Sequence, residues 1–209
     1  MIPSEMPQKK PQTIGVFIDY ENCRRNAKDC FLPLSSQPYE GVFDPIGLAQ
    51  SIVAQRTKGG HPSVLSKVWV FRGEPNPERQ PKAAANFQRL AAKWKADDQC
   101  EMCPRDLKYR FWDDGTFTAQ EKGVDVELAV TAIRHAMEST YDVIVIFSND
   151  TDLLPAVELI VSSTPTHVEV AAWAAEGVYP LSLKRVAGSK RMPFCHFLSE
   201  SVFNAVRDD

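Results

Sequence analysis

The chain has 209 residues, 44% of them hydrophobic and 24% charged, with a net charge of -3. That length can bury one sizeable core, so one domain with decorations is expected, and the charge balance excludes a globally basic protein that coats nucleic acid through its overall field. No run approaches the roughly 18 apolar residues of a membrane span, and MIPSEMPQKKPQ lacks the apolar stretch of a secretory signal, so no membrane association and a cytoplasmic location are expected.

Taken in chain order, residues 1–12 are polar and proline-bearing and read as a loose tail. From Thr13 onward TIGVFID, KVWVFRG, YDVIVIFSND and THVEVAAW read as short apolar strands rich in β-branched and aromatic residues. Helical patterns lie between them at about Asp44 to Arg56, Pro77 to Asp97, Glu121 to Ser139 and Asp152 to Ser162, the first with Asp44 as cap and Pro45 just inside. This alternation predicts a three-layer α/β/α fold around a mostly parallel, Rossmann-like sheet. LKYRFW can supply a further strand ahead of a DDG turn. The main domain is assigned to residues 13–175. Residues 176–209 form a C-terminal extension packed on it, with a basic stretch at Lys184, Arg185, Lys190 and Arg191, then a short strand and a terminal helix.

Five cysteines, Cys23, Cys30, Cys100, Cys103 and Cys195, make an odd set that suits a reducing compartment. Only Cys100 and Cys103 have ligand-like spacing. Zinc partners for them among Cys23, Cys30 or His196 match no standard ribbon or finger, so free thiols are predicted.

Four acids stand where chemistry gathers in open parallel sheets, outside the carboxyl ends of strands: Asp19 after TIGVFI, Asp125 in KGVDVELAV, and Asp150 and Asp152 after VIVIF. At about 100° per residue Leu128, Ala129, Ala132 and Ala136 fall within roughly 60° of Asp125, which places that carboxylate on the apolar stripe, while Glu127 points about 200° away. If the strands ending at Asp19 and Phe147 are neighbours, Asp19, Asp125 and Asp150 share one crevice. Their mutual repulsion there is relieved by a hard divalent cation, Mg²⁺ or Mn²⁺ rather than zinc. The plainer alternatives are that Asp150 or Asp152 caps a helix, Asp19 holds a turn with Asn22, and Asp125 is a first-turn anion.

FIDYEN, KGVDVELAV and YDVIVIFSNDTDLLPAVELI, in that order and spacing, resemble the three blocks of NYN domains, the branch of PIN-like metal-dependent ribonucleases that includes bacterial single-domain members. The resemblance spans most of Thr13 to Trp173. It implies Asp19, Asp125, Asp150 and Asp152 as catalytic, metal-holding carboxylates, with Asn22 and Arg72 at the mouth of the site as substrate contacts; Lys122, beside Gly123 at the helix entry close to these acids, and Asn149 are further candidate substrate contacts. Arg72 follows a strand in FRGEPNP and reads equally as a surface arginine in a proline-rich turn. One position departs from the family pattern: Thr131 stands where many relatives carry a further Asp.

The activity so implied is hydrolysis of RNA phosphodiesters, with a homodimer allowed, and with Tyr109 and Trp112 able to stack on bases if their strand is exposed. Two rivals remain. One is a haloacid-dehalogenase-like phosphatase, in which Asp19 is the nucleophile and Glu21 the second acid. The other is a PIN-like module that binds RNA or protein without cutting.

Overall fold

A computed structural model of the protein describes residues 10–177, 181 and 193–208. Strand β1 (Gln12–Asp19) lies at the centre of a six-stranded parallel sheet with β2 (Ser63–Glu74), β3 (Cys100–Asp106), β6 (Val143–Phe147), β7 (His167–Trp173) and β8 (Cys195–Leu198), in the order β3-β2-β1-β6-β7-β8. The chain first builds outward from β1 to β3 and then returns to β6 on the other side of β1. The order therefore reverses between β1 and β6, and a crevice opens outside their carboxyl ends.

The two long apolar runs are explained by burial on both faces. Ile14, Val16 and Ile18 of β1, with Val143, Val145 and Phe147 of β6, join one core with Tyr20, Leu48, Ile52, Leu90 and Trp94. The alternate residues Phe17, Ile144 and Ile146 join the other, with Leu128, Ala132, Val157 and Ile160. The first core lies beneath α1 (Tyr20–Phe31), α2 (Pro45–Lys58), α3 (Pro81–Lys95) and α6 (Glu200–Val206). The second lies beneath α4 (Val124–Met137) and α5 (Leu154–Ser163). This is the expected three-layer arrangement.

Asp44 caps α2 by accepting from the N–H groups of Ile46 and Gly47, both at 3.1 Å, with Pro45 in the first turn. Two elements depart from expectation. Helix α1 starts directly at Tyr20, where a turn was the plain reading; its YENCRRNAKDCF sequence is polar, and only Tyr20, Cys23, Arg24 and Ala27 are buried. Strand β3 contains Pro104, which an edge strand tolerates because one side of its backbone needs no partner. LKYRFW supplies the expected further strand ahead of the DDG turn: β4 (Lys108–Phe111) pairs with β5 (Phe117–Gln120) as an antiparallel hairpin separate from the main sheet.

Residues 195–206 add β8 and α6 to the same sheet and layer, while Lys184, Arg185, Lys190 and Arg191 lie outside the described residues, as do residues 1–9 of the tail. Cys100 belongs to one core and Cys103 packs against the other, so these two thiols face opposite sides of the sheet and cannot share a metal ion. All five cysteines are free thiols. No helix among the described residues is long and apolar enough to cross a membrane.

Candidate functional site

Asp19 ends β1 and Ser148, Asn149 and Asp150 follow β6, so the reversal of strand order sets them side by side. One Asp19 oxygen accepts from the Asn22 N–H at 3.4 Å, which makes Asp19 the N-cap of α1; the other accepts from Ser148 Oγ at 2.9 Å. The Ser148 hydroxyl also accepts from the Asp150 N–H at 3.0 Å. Asn22 fastens the same loop to α1, its Oδ1 accepting from the Asn149 N–H at 3.0 Å. Asp125 reaches this place from the first turn of α4, whose entry is made by Gly123 at a φ of 76°. Gly there avoids the steric cost that a side chain meets at positive φ.

Asp19, Asn22, Asp125 and Asp150 line one cleft of about 560 Å³. Glu121 and Arg25 line it too, and neither is among the site residues expected from the sequence. Glu121 stands two residues before the left-handed Gly123 and accepts from the Gly73 N–H at the end of β2. A Cβ on Gly73 would lie 2.7 Å from Glu121 Cγ, so the glycine is what admits this carboxylate. The only sequence signal was a glycine near the end of a strand, a mark of close backbone approach.

The other expected residues lie elsewhere. Asp152 is exposed and does not line the cleft; it donates its N–H to Asp150 Oδ1 at 2.9 Å, so the cap of the 3-10 turn Thr151–Leu153 is Asp150. Lys122 is exposed and Asn149 half-buried, and neither lines the cleft. Arg72 is mostly buried, pairs with Glu21 at 3.0 Å, lies 4.9 Å from the centre of the Tyr20 ring, and lines a different groove beside Tyr39 and Asn86. Thr131 is buried in α4 and takes no part in the cleft.

A family model for the NYN domain matches residues 13–188. The chain belongs to the NYN-domain family. NYN domains form part of the PIN-like superfamily, whose nuclease-type fold is the one described above. Among solved structures, the crystal structure of a protein of unknown function from Vibrio parahaemolyticus is similar at a TM-score of 0.47 and 16% identity, covering 79% of this chain and 84% of that one. No curated protein matches the chain.

The electrostatics of this NYN cleft centre on Asp19. Burial pushes its carboxyl up to about 7, and the nearby acids Glu121 and Asp150 push in the same direction against the hydrogen bonds from Ser148 and Asn22. Burial likewise raises Glu121. Glu21 behaves oppositely: although burial works against its charge, Arg24, Arg72 and Arg25 hold the carboxyl below its ordinary value. Asp19 and Glu21, two residues apart, thus differ because one has acids for neighbours and the other arginines.

This donor set fits a hard divalent cation in its chemistry: carboxylate oxygens, a mutually repelling charge and an amide oxygen nearby. It is not a finished cage, since among the described residues no three Asp, Glu, His or Cys side chains are grouped closely enough to hold an ion by themselves.

Proposed function

We propose that this NYN domain is a divalent-cation-dependent ribonuclease that hydrolyses phosphodiester bonds of single-stranded RNA in the Asp19 cleft. The observation that carries the reading is a carboxylate buried to 6% exposure at the strand-order reversal, raised to about 7 and flanked by further acids lining the same cleft. A group in that position costs stability when it is charged and empty, and sites of this kind serve chemistry more often than packing.

A bound Mg²⁺ or Mn²⁺ would neutralise charge on the phosphate and make water acidic enough to attack near neutral pH. Asp19 and Asp150 would hold the cation, with Asp125 acting through an intervening water. Ser148 orients the Asp19 carboxylate, and Ser148 and Asn22 together hold the loop that carries Asp150 against β1 and α1. Glu121, half-buried and raised, is suited to take a proton from the attacking water. Arg25, exposed at the cleft rim, can meet the phosphate.

The phosphatase alternative is disfavoured because Glu21, its required second acid, is engaged by Arg24 at 2.9 Å and Arg72 at 3.0 Å and does not line the Asp19 cleft. Binding without cleavage has one observation in its favour, the incomplete cage. Incubating labelled RNA, and DNA of the same sequence, with wild type and Asp19→Asn in Mg²⁺ or EDTA separates these readings. RNA cleavage lost in EDTA and in the variant is expected; intact RNA under every condition would leave the binding module.

A further inference from the structure

The β4–β5 hairpin stands outside the main sheet and carries three exposed aromatic side chains. Phe111, Trp112 and Phe117 are 57%, 45% and 37% exposed. Strand alternation puts Tyr109 and Phe111 on one face, with Phe117 directly opposite Phe111. The Arg79 guanidinium lies over this face, 4.5 Å from the Phe111 ring centre and 5.0 Å from that of Tyr109. Arg110 lies 4.4 Å from the centre of the Trp112 ring. Tyr109 is held in place by its hydroxyl, which accepts from the Asn76 N–H at 2.9 Å and donates to Gln80 Oε1 at 2.8 Å.

A groove of about 480 Å³ runs along this face, lined by Pro75, Asn76, Pro77, Arg79, Tyr109 and Phe111 among others. The hairpin is also a wall of the acidic cleft. Tyr109 lines the groove, whereas its register partner Ala119, and Gln120 beside it, line the cleft. Opposed residues of an antiparallel pair are about 5 Å apart, so the two concavities adjoin across one pair of strands.

We infer that this hairpin is a stacking platform for single-stranded RNA, holding unpaired bases beside the cleft in which the phosphodiester is cut; the inference rests on the nuclease reading above for its choice of RNA. In the groove the Arg79 guanidinium with the Tyr109 and Phe111 rings, and beside it the Arg110–Trp112 pair, present planar π surfaces on which unstacked bases can stack, and the groove has room for them. A protein partner would instead be suited by a continuous apolar patch, and here guanidinium groups lie over Tyr109, Phe111 and Trp112. Charge contributes little. Arg79 and Lys108 in the groove are balanced by Glu74 and Asp106, so affinity should come from stacking and depend weakly on salt.

The test is binding of a fluorescently labelled single-stranded RNA by the full chain in EDTA, so that cleavage does not enter, with a base-paired hairpin of the same length and single-stranded DNA of the same sequence as competitors. The Phe111→Ala/Trp112→Ala double variant should bind at least about tenfold more weakly, because stacking on one aromatic ring is worth about that much or more. Phe111→Trp should bind as wild type does. Melting temperature should hold in both, since these rings lie outside both cores. Equal affinity of wild type and the double variant, tighter binding of the paired hairpin than of the single strand, or a self-association abolished by the double variant with RNA binding unchanged would each overturn the inference. The two readings fail separately. RNA held by the hairpin but never cut in Mg²⁺ removes the nuclease reading alone, and Asp19-dependent cleavage with affinity indifferent to the double variant removes the platform alone.

Discussion

Ser148 donates its hydroxyl to Asp19 at 2.9 Å while accepting the Asp150 N–H at 3.0 Å, so one fully buried side chain sets both the orientation of the first acid and the path of the loop that carries the second. Ser148→Ala should leave a buried carboxylate short of a donor, at a cost of about 1–3 kcal/mol. The Asp19 carboxyl, already near 7, should titrate higher still. Carboxyl carbon NMR of the two proteins checks this, and an unchanged Asp19 titration would mean the hydroxyl is turned elsewhere in solution.

Asp19 should also shape stability against pH in the metal-free protein. Its folded value is raised from 3.8 to about 7, so the folded state binds this proton more tightly than the unfolded chain does. Its effect favours folding most below the unfolded value and is lost as pH rises through the folded one, by up to roughly 4 kcal/mol. Urea unfolding in EDTA at pH 5 and pH 8 should show the part of that loss that falls between the two, roughly 2–3 kcal/mol, in wild type and not in Asp19→Asn. Adding Mg²⁺ at pH 8 should recover part of it.

Glu169 gives the opposite sign at the opposite end of the sheet. It is buried and paired with Arg56 at 3.0 Å, His167 at 3.1 Å and His196 at 2.6 Å. Burial works against its charge, yet the two histidines and Arg56 hold the carboxyl far below 4.5, so its contribution is present above that value and fades only as pH falls below it. Glu169→Leu leaves Arg56 buried without its partner and should lower stability by about 3–5 kcal/mol. The loss should appear in thermal melts at neutral pH; a shift under one degree would show that the network is dispensable.

Gly73→Ala tests the approach of Glu121. The new Cβ would press on Leu107 and Glu121 and displace the carboxylate from the cleft wall. Cleavage should fall about tenfold or more, as it should in Glu121→Gln, while RNA affinity in EDTA changes little. Full turnover in both variants would exclude Glu121 from the chemistry.

Asp150→Asn and Asp152→Asn should differ, because the first carboxylate lines the cleft and the second is exposed outside it. We expect cleavage to drop well over tenfold in the first and less than about threefold in the second, the latter acting only through a longer-range and screened charge. Comparable losses in the two would bring Asp152 back among the ligands.

Periodicity and strand-end position were enough to mark Asp19, Asp125 and Asp150, because a carboxylate after a doubly buried strand or on an apolar helical stripe stands out against local pattern. The same logic read the central strands, the cap at Asp44 and the free thiols. Helix α1 escaped it because its sequence is polar and follows β1 without a break, and β3 because Pro104 argues against a strand until its place at the sheet edge is known. Asp152 looked equivalent to Asp150 in sequence; only the 3-10 turn, which spends one acid as cap and turns the other outward, separates them. Arg72 and Glu121 were decided by long-range partners. Arg72 is held by Glu21, 51 residues away, and Glu121 is admitted by Gly73, 48 residues away. Sequence thus determined which acids end which elements, a matter of local pattern, while the tertiary structure decided which side chains face one another, since that depends on strand order, register and close backbone approach.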